Sequence, residues 1–255
     1  MKRFSLDAMR KIKEGEREEM KKLSSSFRRD RPLYRLKDAL PDSINIIAEL
    51  KHCSPGHGMI EGHITDSARL ARYVYGGAAA ISILAEREFF GGSYEMMKLA
   101  AEEMRVPMLC KDFIFFSEQI DAAYTCGADA VLLIVRALEK NELEELYSAA
   151  DERGLLPLIE ICHEEEIDKI AKIDPGIVMV NMRDLETLEI NFARGIEILN
   201  TLPVGITAIS ASGINSGSDI EFIMRETGVK NFLVGAALMK HREPDIFIRE
   251  LRDVR

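Results

Sequence analysis

The feature that most constrains the fold is a strict alternation of apolar, β-branched runs with amphipathic helical patterns from residue 44 onward. The runs have the length of strands, and the segments between them carry apolar residues at helical spacing. The predicted strands span residues 44–50, 79–85, 106–110, 130–135, 156–161, 177–181, 205–210 and 231–234. The predicted helices span about 66–76, 93–104, 117–126, 140–153, 163–172, 192–201, 217–227 and 243–253.

Alternation of this kind predicts parallel strands joined by right-handed crossovers, because parallel strands are buried on both faces and have continuous apolar runs. Eight such units predict an α/β fold, a closed (β/α)8 TIM barrel. Such barrels typically need about 250 residues, and this chain has 255. The alternative is a doubly wound open sheet, which usually carries G-x-G-x-x-G after its first strand. That motif is absent from the sequence.

A charged segment precedes the first strand. We predict that residues 1–43 form a helical extension packed on a catalytic barrel of residues 44–255. The helix-prone stretch DAMRKIKEGEREEMKKL has one sparse apolar stripe, formed by Ala8, Ile12, Met20 and Leu23. This pattern predicts a solvated helix with a single docking face.

Composition excludes several classes of partner. The 43 acidic and 34 basic residues give a net charge of −9, which repels a nucleic-acid backbone. No apolar run approaches the roughly 18 residues of a membrane span, and the N-terminus lacks the apolar core of a signal peptide. We therefore expect no nucleic acid, no membrane and a cytoplasmic protein.

The four cysteines are widely spaced and form no C-x-x-C, so reduced thiols are expected. Cys53, Cys110 and Cys162 follow or end three strands, and histidines lie near them, so a zinc site is conceivable. A free cysteine is more often a small buried hydrophobe. We expect no metal and no cofactor.

Polar and charged residues interrupt the apolar runs where four predicted strands end. They are Glu49 and Lys51 on the first, Lys111 after the third, Glu160 on the fifth, and Asn181 and Arg183 on the sixth. A buried unpaired ion costs several kcal/mol, so these residues need partners or a ligand. Convergence on one pocket at the barrel mouth meets that need.

The spacing of these residues indicates two acid–ammonium pairs. Glu49 and Lys51 are two apart, so a strand sends both side chains to the same side. Lys111 and Glu160 lie above the third and fifth strands, roughly across the mouth, where they can divide proton donation from proton removal. The alternative is a structural ion pair that closes the barrel top.

Two short glycine-containing segments favour a phosphorylated ligand. Ser212-Gly213-Ile214 follows the seventh strand and Gly235-Ala236-Ala237 follows the eighth, where such barrels often bind phosphate with backbone N–H groups. Each segment is also consistent with a tight turn alone. The loop Ser54-Pro55-Gly56-His57-Gly58 is a candidate lid.

These motifs resemble the indole-3-glycerol-phosphate synthase family over almost the whole chain. The resemblance is carried by IIAELKHCSPGHG at 46–58, ISILAEREFFGGSYE at 81–95, PMLCKDFIF at 107–115, GADAVLLIV at 127–135, PLIEI at 157–161, NMRDLETLEIN at 181–191, SASGI at 210–214 and FLVGAALM at 232–239. It implies ring closure of 1-(2-carboxyphenylamino)-1-deoxyribulose 5-phosphate with loss of carbon dioxide and water. Other tryptophan-pathway enzymes are conceivable partners.

The resemblance also implies roles for individual residues. Lys111 matches the general acid at the substrate carbonyl, Lys51 the lysine at the substrate carboxylate, Glu160 the acid/base of dehydration, and Glu49 the residue that orients them. The remaining matches are Asn181, Arg183 and Ser212 as polar lining, Ser54, Gly213, Gly235 and Ala236 at the phosphate, and Phe90 and Phe113 as walls for the aromatic ring.

The chain departs from the family pattern at two positions. Ala211 stands where the family usually has a glutamate, and Ala236 stands where a serine or glutamate is usual. Losing one neutral hydrogen bond to phosphate costs roughly 0.5–1.5 kcal/mol, which weakens binding without abolishing it.

Two alternative functions stay open at this point. One is a non-catalytic barrel that binds a phosphorylated ligand. The other is a different phosphosugar enzyme such as phosphoribosylanthranilate isomerase, for which Cys53 and Asp184 are the available acid and base.

Overall fold

The computed structural model describes residues 4–54, 58–60 and 64–254, and only the backbone of Ser54. The candidate lid therefore lies largely outside the described residues, which exclude Pro55, Gly56 and His57. Cys53–Ser54 and Gly58–Met59, on either side of that gap, pair as two short antiparallel strands. The sequence pattern gave no indication of this hairpin.

The main sheet is a closed parallel barrel, and the predicted fold class is confirmed. Its strands are Asn45–Leu50, Ala80–Leu84, Met108–Lys111, Ala130–Ile134, Leu156–Ile161, Ile177–Asn181, Thr207–Ala211 and Asn231–Val234, here called the first to eighth barrel strands. The eighth pairs with the first and closes the barrel, with Asn231 opposite Asn45. Every residue of the first, second, fourth and sixth strands is buried, as parallel strands covered by helices require.

Helices follow the strands in the expected order. They are Asp66–Tyr75, Tyr94–Glu103, Ser117–Thr125, Lys140–Asp151, Ile167–Ile170, Phe192–Thr201, Gly217–Thr227, Ala236–Lys240 and Pro244–Arg252. Their starts have local causes: the Ser93 hydroxyl accepts the N–H of Met96 at 3.0 Å, and the Asn191 side chain accepts that of Arg194 at 3.0 Å. Gly228 ends the seventh of these helices in the left-handed region, with φ 75°.

Two helix predictions need correction. The segment 163–172 is not one helix but a 3₁₀ turn at Glu164–Glu166 followed by the four-residue helix Ile167–Ile170. Three consecutive glutamates lack a helical apolar stripe, and the Glu166 carboxylate is drawn inward, where it accepts the N–H of Cys162 at 2.8 Å. The helices predicted between the strands also omitted the short helix Ala236–Lys240, which begins after Gly235.

The N-terminal segment packs on the barrel. Its helix Leu6–Ser26 starts at Ser5, whose hydroxyl accepts the N–H of Ala8, and its most buried residues are Met9, Lys13 and Met20. The expected stripe is thus shifted, since Ala8, Ile12 and Leu23 are only partly buried. Beyond the helix, the guanidinium of Arg29 lies 2.6 Å from the carboxylate of Asp129, just before the fourth barrel strand. The division into an extension (1–43) and a barrel (44–255) stays a prediction.

Candidate active site

A pocket opens at the carboxyl ends of the barrel strands. It holds about 1170 Å³ of space, with the solvent at its open mouth included. Its charged and polar lining consists of Glu49, Lys51, Lys111, Asp112, Glu160, Asn181, Arg183, Ser212 and Asn215. The structure therefore brings together all the polar residues that the sequence suggested for strand ends.

Glu49 and Lys51 form the first ion pair of the pocket. The Lys51 Nζ lies 2.6 Å from the Glu49 Oε1, and Glu49 is 2 % exposed. Gly235 lies against this pair, because a Cβ added there would overlap the Glu49 carboxylate. A side chain at 235 would therefore displace the Glu49 carboxylate from this position.

Lys111 and Glu160 form the second pair, in direct contact rather than facing each other across an open mouth. The Lys111 Nζ donates to Glu160 Oε2 at 3.3 Å, and the Asn181 amide donates to Glu160 Oε1 at 3.1 Å. Burial alone lowers the pKa of Lys111, but the carboxylates of Glu160 and Glu49 outweigh it and raise that pKa. The pocket therefore holds a charged ammonium at neutral pH.

Arg183 is held at the rim by its own loop. Its guanidinium donates to the carbonyl of Leu188 at 2.6 Å, and its backbone N–H donates to the Asn181 side chain at 3.0 Å. Burial lowers the pKa of Arg183. This arrangement leaves a cation at the mouth that an anionic ligand can approach.

Aromatic rings form one wall of the pocket. The centroids of Phe90 and Phe113 lie 6.2 Å apart, and both rings line the pocket. Phe4, from the N-terminal segment, lies 5.7 Å from Phe113 and lines the pocket as well. Sequence reasoning missed Phe4, because nothing in the charged N-terminal segment indicates which barrel residue Phe4 contacts.

The opposite wall is backbone at the ends of the seventh and eighth strands. Ser212 and Gly213 adopt the left-handed region in succession, with φ 69° and 81°. For a non-glycine residue such as Ser212 this conformation costs on the order of 1–3 kcal/mol, and such strain clusters at functional sites. Gly235 and Ala236 line the same wall. The side chain of Ser54, the other expected phosphate contact, lies outside the described residues.

The residues required by the isomerase alternative do not fit a catalytic pair. Neither Cys53 nor Asp184 lines the pocket. The Cys53 thiol donates to the carbonyl of Phe89 at 3.1 Å, and burial raises its pKa. Asp184 instead caps the loop that follows the sixth strand, where its carboxylate accepts the N–H groups of Glu186 and Thr187 at 2.8 and 2.9 Å.

A cysteine–histidine–aspartate trio lies beside that loop. Among the described residues, one ligand atom from each of Cys162, His163 and Asp184 lies within 4.8 Å of the others. The His163 Nε2 is 2.7 Å from Asp184, and the Arg194 guanidinium is 3.4 Å from the same oxygen. That guanidinium places a fixed positive charge beside the position a metal cation would take.

The Asp184 cluster predicts a loss of stability in acid. Burial raises the pKa of Asp184, but hydrogen bonds from Thr187, Glu186 and His163 outweigh it and lower the pKa to about 2. A carboxyl with a lowered pKa contributes stability above its unfolded pKa and loses it as the pH falls through the folded value. Asp184→Asn should lower the free energy of unfolding by on the order of 1 kcal/mol at neutral pH and by less near pH 3.

Urea unfolding at the two pH values checks this expectation, with Asp168→Asn on an exposed carboxylate as the control. A cost for Asp184→Asn that does not change with pH would contradict it.

Comparison with known proteins identifies the family. The family model for indole-3-glycerol phosphate synthase matches residues 1–251. The chain belongs to the indole-3-glycerol phosphate synthase family. Members of this family are carboxy-lyases of tryptophan biosynthesis.

Curated relatives support this assignment over most of the chain. Indole-3-glycerol phosphate synthase of Bacillus cereus strain G9842 is 36% identical over 246 residues, covering 95% of this chain and 96% of its own. The protein of the same name from Bacillus mycoides strain KBAB4 is 37% identical over 235 residues and covers 92% of each chain. The one from Bacillus anthracis strain A0248 is 38% identical over 212 residues and covers 83% of each.

Solved structures of lower identity share the fold alone. Thiamine phosphate pyrophosphorylase from Pyrococcus furiosus has a TM-score of 0.61 at 17% identity, covering 83% of this chain and 95% of its own. The tryptophan synthase α subunit from Legionella pneumophila strain Paris has a TM-score of 0.60 at 13% identity, covering 88% of this chain and 98% of its own.

None of the helices that the structure describes has the length and apolarity needed to cross a membrane.

Proposed function

We propose that this chain acts as an indole-3-glycerol-phosphate synthase, a carbon–carbon lyase that closes the indole ring of 1-(2-carboxyphenylamino)-1-deoxyribulose 5-phosphate. The observation that carries the proposal is the presence of two Lys–Glu pairs in one pocket, Lys51–Glu49 and Lys111–Glu160, in a chain of this family. A barrel that only binds a ligand has no need of two matched acids and bases.

The two walls of the pocket suit the two ends of this substrate. Phe90 and Phe113 offer an apolar face for the carboxyphenyl ring. The backbone at Ser212–Gly213 and Gly235–Ala236 is the proposed phosphate site, and the Ser54 hydroxyl stays a predicted contact. Between these ends, the substrate carbonyl and carboxylate would lie beside the two ammonium groups. Arg183 and Asn181 complete the polar lining.

Ring closure requires a proton donor at the carbonyl. The aryl carbon that bears the carboxylate forms a bond to the carbonyl carbon, and the carbonyl oxygen takes a proton from Lys111. An ammonium fixed there stabilises the charge that develops on oxygen. The carboxylate then leaves as carbon dioxide, and the electrons of the broken bond restore the aromatic ring.

Dehydration completes the indole. The new hydroxyl leaves as water, and a proton is removed from the neighbouring ring carbon, so that a double bond forms. Glu160 is the proposed acid/base of this step, and the amide of Asn181 holds its carboxylate. Lys51 is proposed to bind the substrate carboxylate and to assist as an acid, with Glu49 orienting it.

A comparison of two substrates tests the proposal. The purified chain is expected to convert the carboxyphenylamino-deoxyribulose phosphate into an indole-absorbing product and to leave phosphoribosylanthranilate unchanged. Conversion of phosphoribosylanthranilate alone would establish the isomerase instead. A cytoplasmic location and association with other enzymes of the pathway stay predictions.

Ala211 gives a prediction on the chain's clearest departure from the family pattern. Ala211 is buried, lines the pocket and lies in register with Asn181. Ala211→Glu should alter kcat more than KM, because a carboxylate there acts by positioning an ammonium. The change should be less than about tenfold, since Glu49 and Glu160 already supply carboxylates and a third would repel the substrate's own.

Steady-state kinetics of Ala211→Glu and Ala211→Gln measure this effect, the glutamine serving as the uncharged control. A rise in turnover by orders of magnitude in the glutamate variant alone would contradict the account.

A further inference from the structure

A buried ammonium of the N-terminal helix lies behind the pocket. Lys13 is 1 % exposed and lies on the same helix face as Met9 and Met20. Burying an ammonium costs several kcal/mol unless it is paired and hydrogen-bonded. A buried lysine on a docking face otherwise formed by methionines therefore points to a role beyond docking.

The main partner of Lys13 is the residue that follows Lys111. The Lys13 Nζ lies 2.8 Å from Asp112 Oδ1 and 3.0 Å from Glu16 Oε2. The same Asp112 oxygen accepts the backbone N–H of Phe113 at 2.8 Å. The ammonium is thus tied directly to the backbone that carries both the proposed acid and one aromatic wall.

The other Asp112 oxygen is bound from two barrel elements. It accepts the Tyr94 hydroxyl at 2.9 Å and the Gln119 amide at 3.2 Å. Gln119 in turn donates to the carbonyl of Phe113 at 2.9 Å. Asp112 therefore fixes residues 111–113 on both sides, and Lys13 supplies the charge that makes its burial tolerable.

A second buried carboxylate holds the turn that carries Phe90. Glu86 has no exposed surface, and its oxygens accept the N–H groups of Glu88, Phe89 and Phe90 at 2.9, 2.7 and 3.0 Å. Burial raises the pKa of Glu86, although hydrogen bonds from the N–H groups of Phe89 and Glu88 and the charge of Lys13 oppose the rise. Glu86 thus fixes the turn that presents Phe90, whose ring centroid lies 6.2 Å from that of Phe113.

We propose that Lys13 is a positioning residue for the reaction: by holding Asp112, it sets Lys111 and the ring of Phe113 in their working positions. The N-terminal helix is then part of the catalytic apparatus without touching the substrate through Lys13. This inference rests on the proposed function.

The test compares Lys13→Met with Arg10→Met. Arg10 lies on the same helix, pairs with Glu142 at 2.7 Å on the helix that follows the fourth barrel strand, and stacks on the ring of Phe115. It does not contact Asp112 and does not line the pocket. Both variants loosen the helix, but only Lys13→Met leaves Asp112 without its ammonium. We expect kcat to fall by about tenfold or more in Lys13→Met with a smaller change in KM, because small misplacements of reacting groups are costly. The kcat of Arg10→Met should stay within about twofold of that of the unmodified chain.

Adding Asp112→Asn to Lys13→Met separates positioning from a general loosening of the helix. A loosened helix alone would not give recovery of kcat in the double variant. The asparagine keeps an acceptor for Phe113 without a buried charge, so kcat should recover in part relative to Lys13→Met. Equal losses of kcat in Lys13→Met and Arg10→Met, or no recovery in the double variant, would overturn the inference.

A further variant covers the case in which Lys13→Met does not fold. Lys13→Arg keeps the charge but displaces it, so kcat should fall while the unfolding midpoint stays near that of the unmodified chain; unchanged kcat would overturn the inference. An unmodified chain without turnover would instead refute the proposed function, so the two failures are distinguishable.

Discussion

Lys111→Ala is expected to lower kcat by at least about a hundredfold while the substrate still binds. The Lys111 ammonium is charged and lies 3.3 Å from Glu160 in the pocket, so its loss removes the group placed to protonate the carbonyl oxygen. Because charge develops there mainly in the transition state, the loss should appear in kcat far more than in the dissociation constant.

Stopped-flow kinetics and equilibrium titration of the variant with substrate separate the two quantities. Lys172→Ala, on an exposed lysine, is the matched control and should leave both unchanged. Substantial kcat remaining in Lys111→Ala would remove Lys111 from the role of general acid.

Glu160→Gln should lower kcat strongly and cause the ring-closed, decarboxylated intermediate to accumulate. Removal of one catalytic acid or base typically costs about 10²–10⁴-fold. The glutamine keeps an acceptor for the Asn181 amide, so the loss reports on proton transfer more than on packing.

Rapid-quench mass spectrometry of Glu160→Gln detects the intermediate. Glu164→Gln, on an exposed carboxylate after the same strand, is the control. An unchanged kcat with no intermediate would move the acid/base role to another residue.

The barrel itself could be predicted from the sequence because parallel strands buried on both faces have continuous apolar runs. The bounds of all eight strands agree with the prediction to within two residues. The prediction of one helix at 163–172 was wrong, because burial there does not follow the apolar pattern. One of the segment's two most buried residues is the charged Glu166, which a hydropathy pattern assigns to solvent; the other is Ile170.

Most polar residues of the pocket could also be predicted, since charges at strand ends interrupt apolar runs and strand ends of a barrel converge. Asp112 and Asn215 line the pocket as well and were not predicted. The pairing of the pocket's charged residues could not be fully predicted. The contact between Lys111 and Glu160 depends on side chains reaching across the fourth strand, which no local pattern encodes.

The contributions of the N-terminal helix were the least predictable. Lys13 has the appearance of a solvent-facing residue because its partner, Asp112, lies about a hundred residues away. The place of Phe4 in the pocket likewise depends on its contact with Phe113, which lies far away in the sequence. Such tertiary pairings leave no trace in local periodicity.

The central claim is that this pocket closes and dehydrates an indole ring with release of the ring carboxylate. A single-turnover experiment tests it most directly, with enzyme in excess over substrate labelled at that carboxylate, while indole fluorescence and labelled carbon dioxide are followed together. The account predicts one carbon dioxide and one indole product for each substrate bound. Substrate that binds and is recovered unchanged, with neither fluorescence nor labelled carbon dioxide, would contradict it and establish a barrel that only binds its ligand.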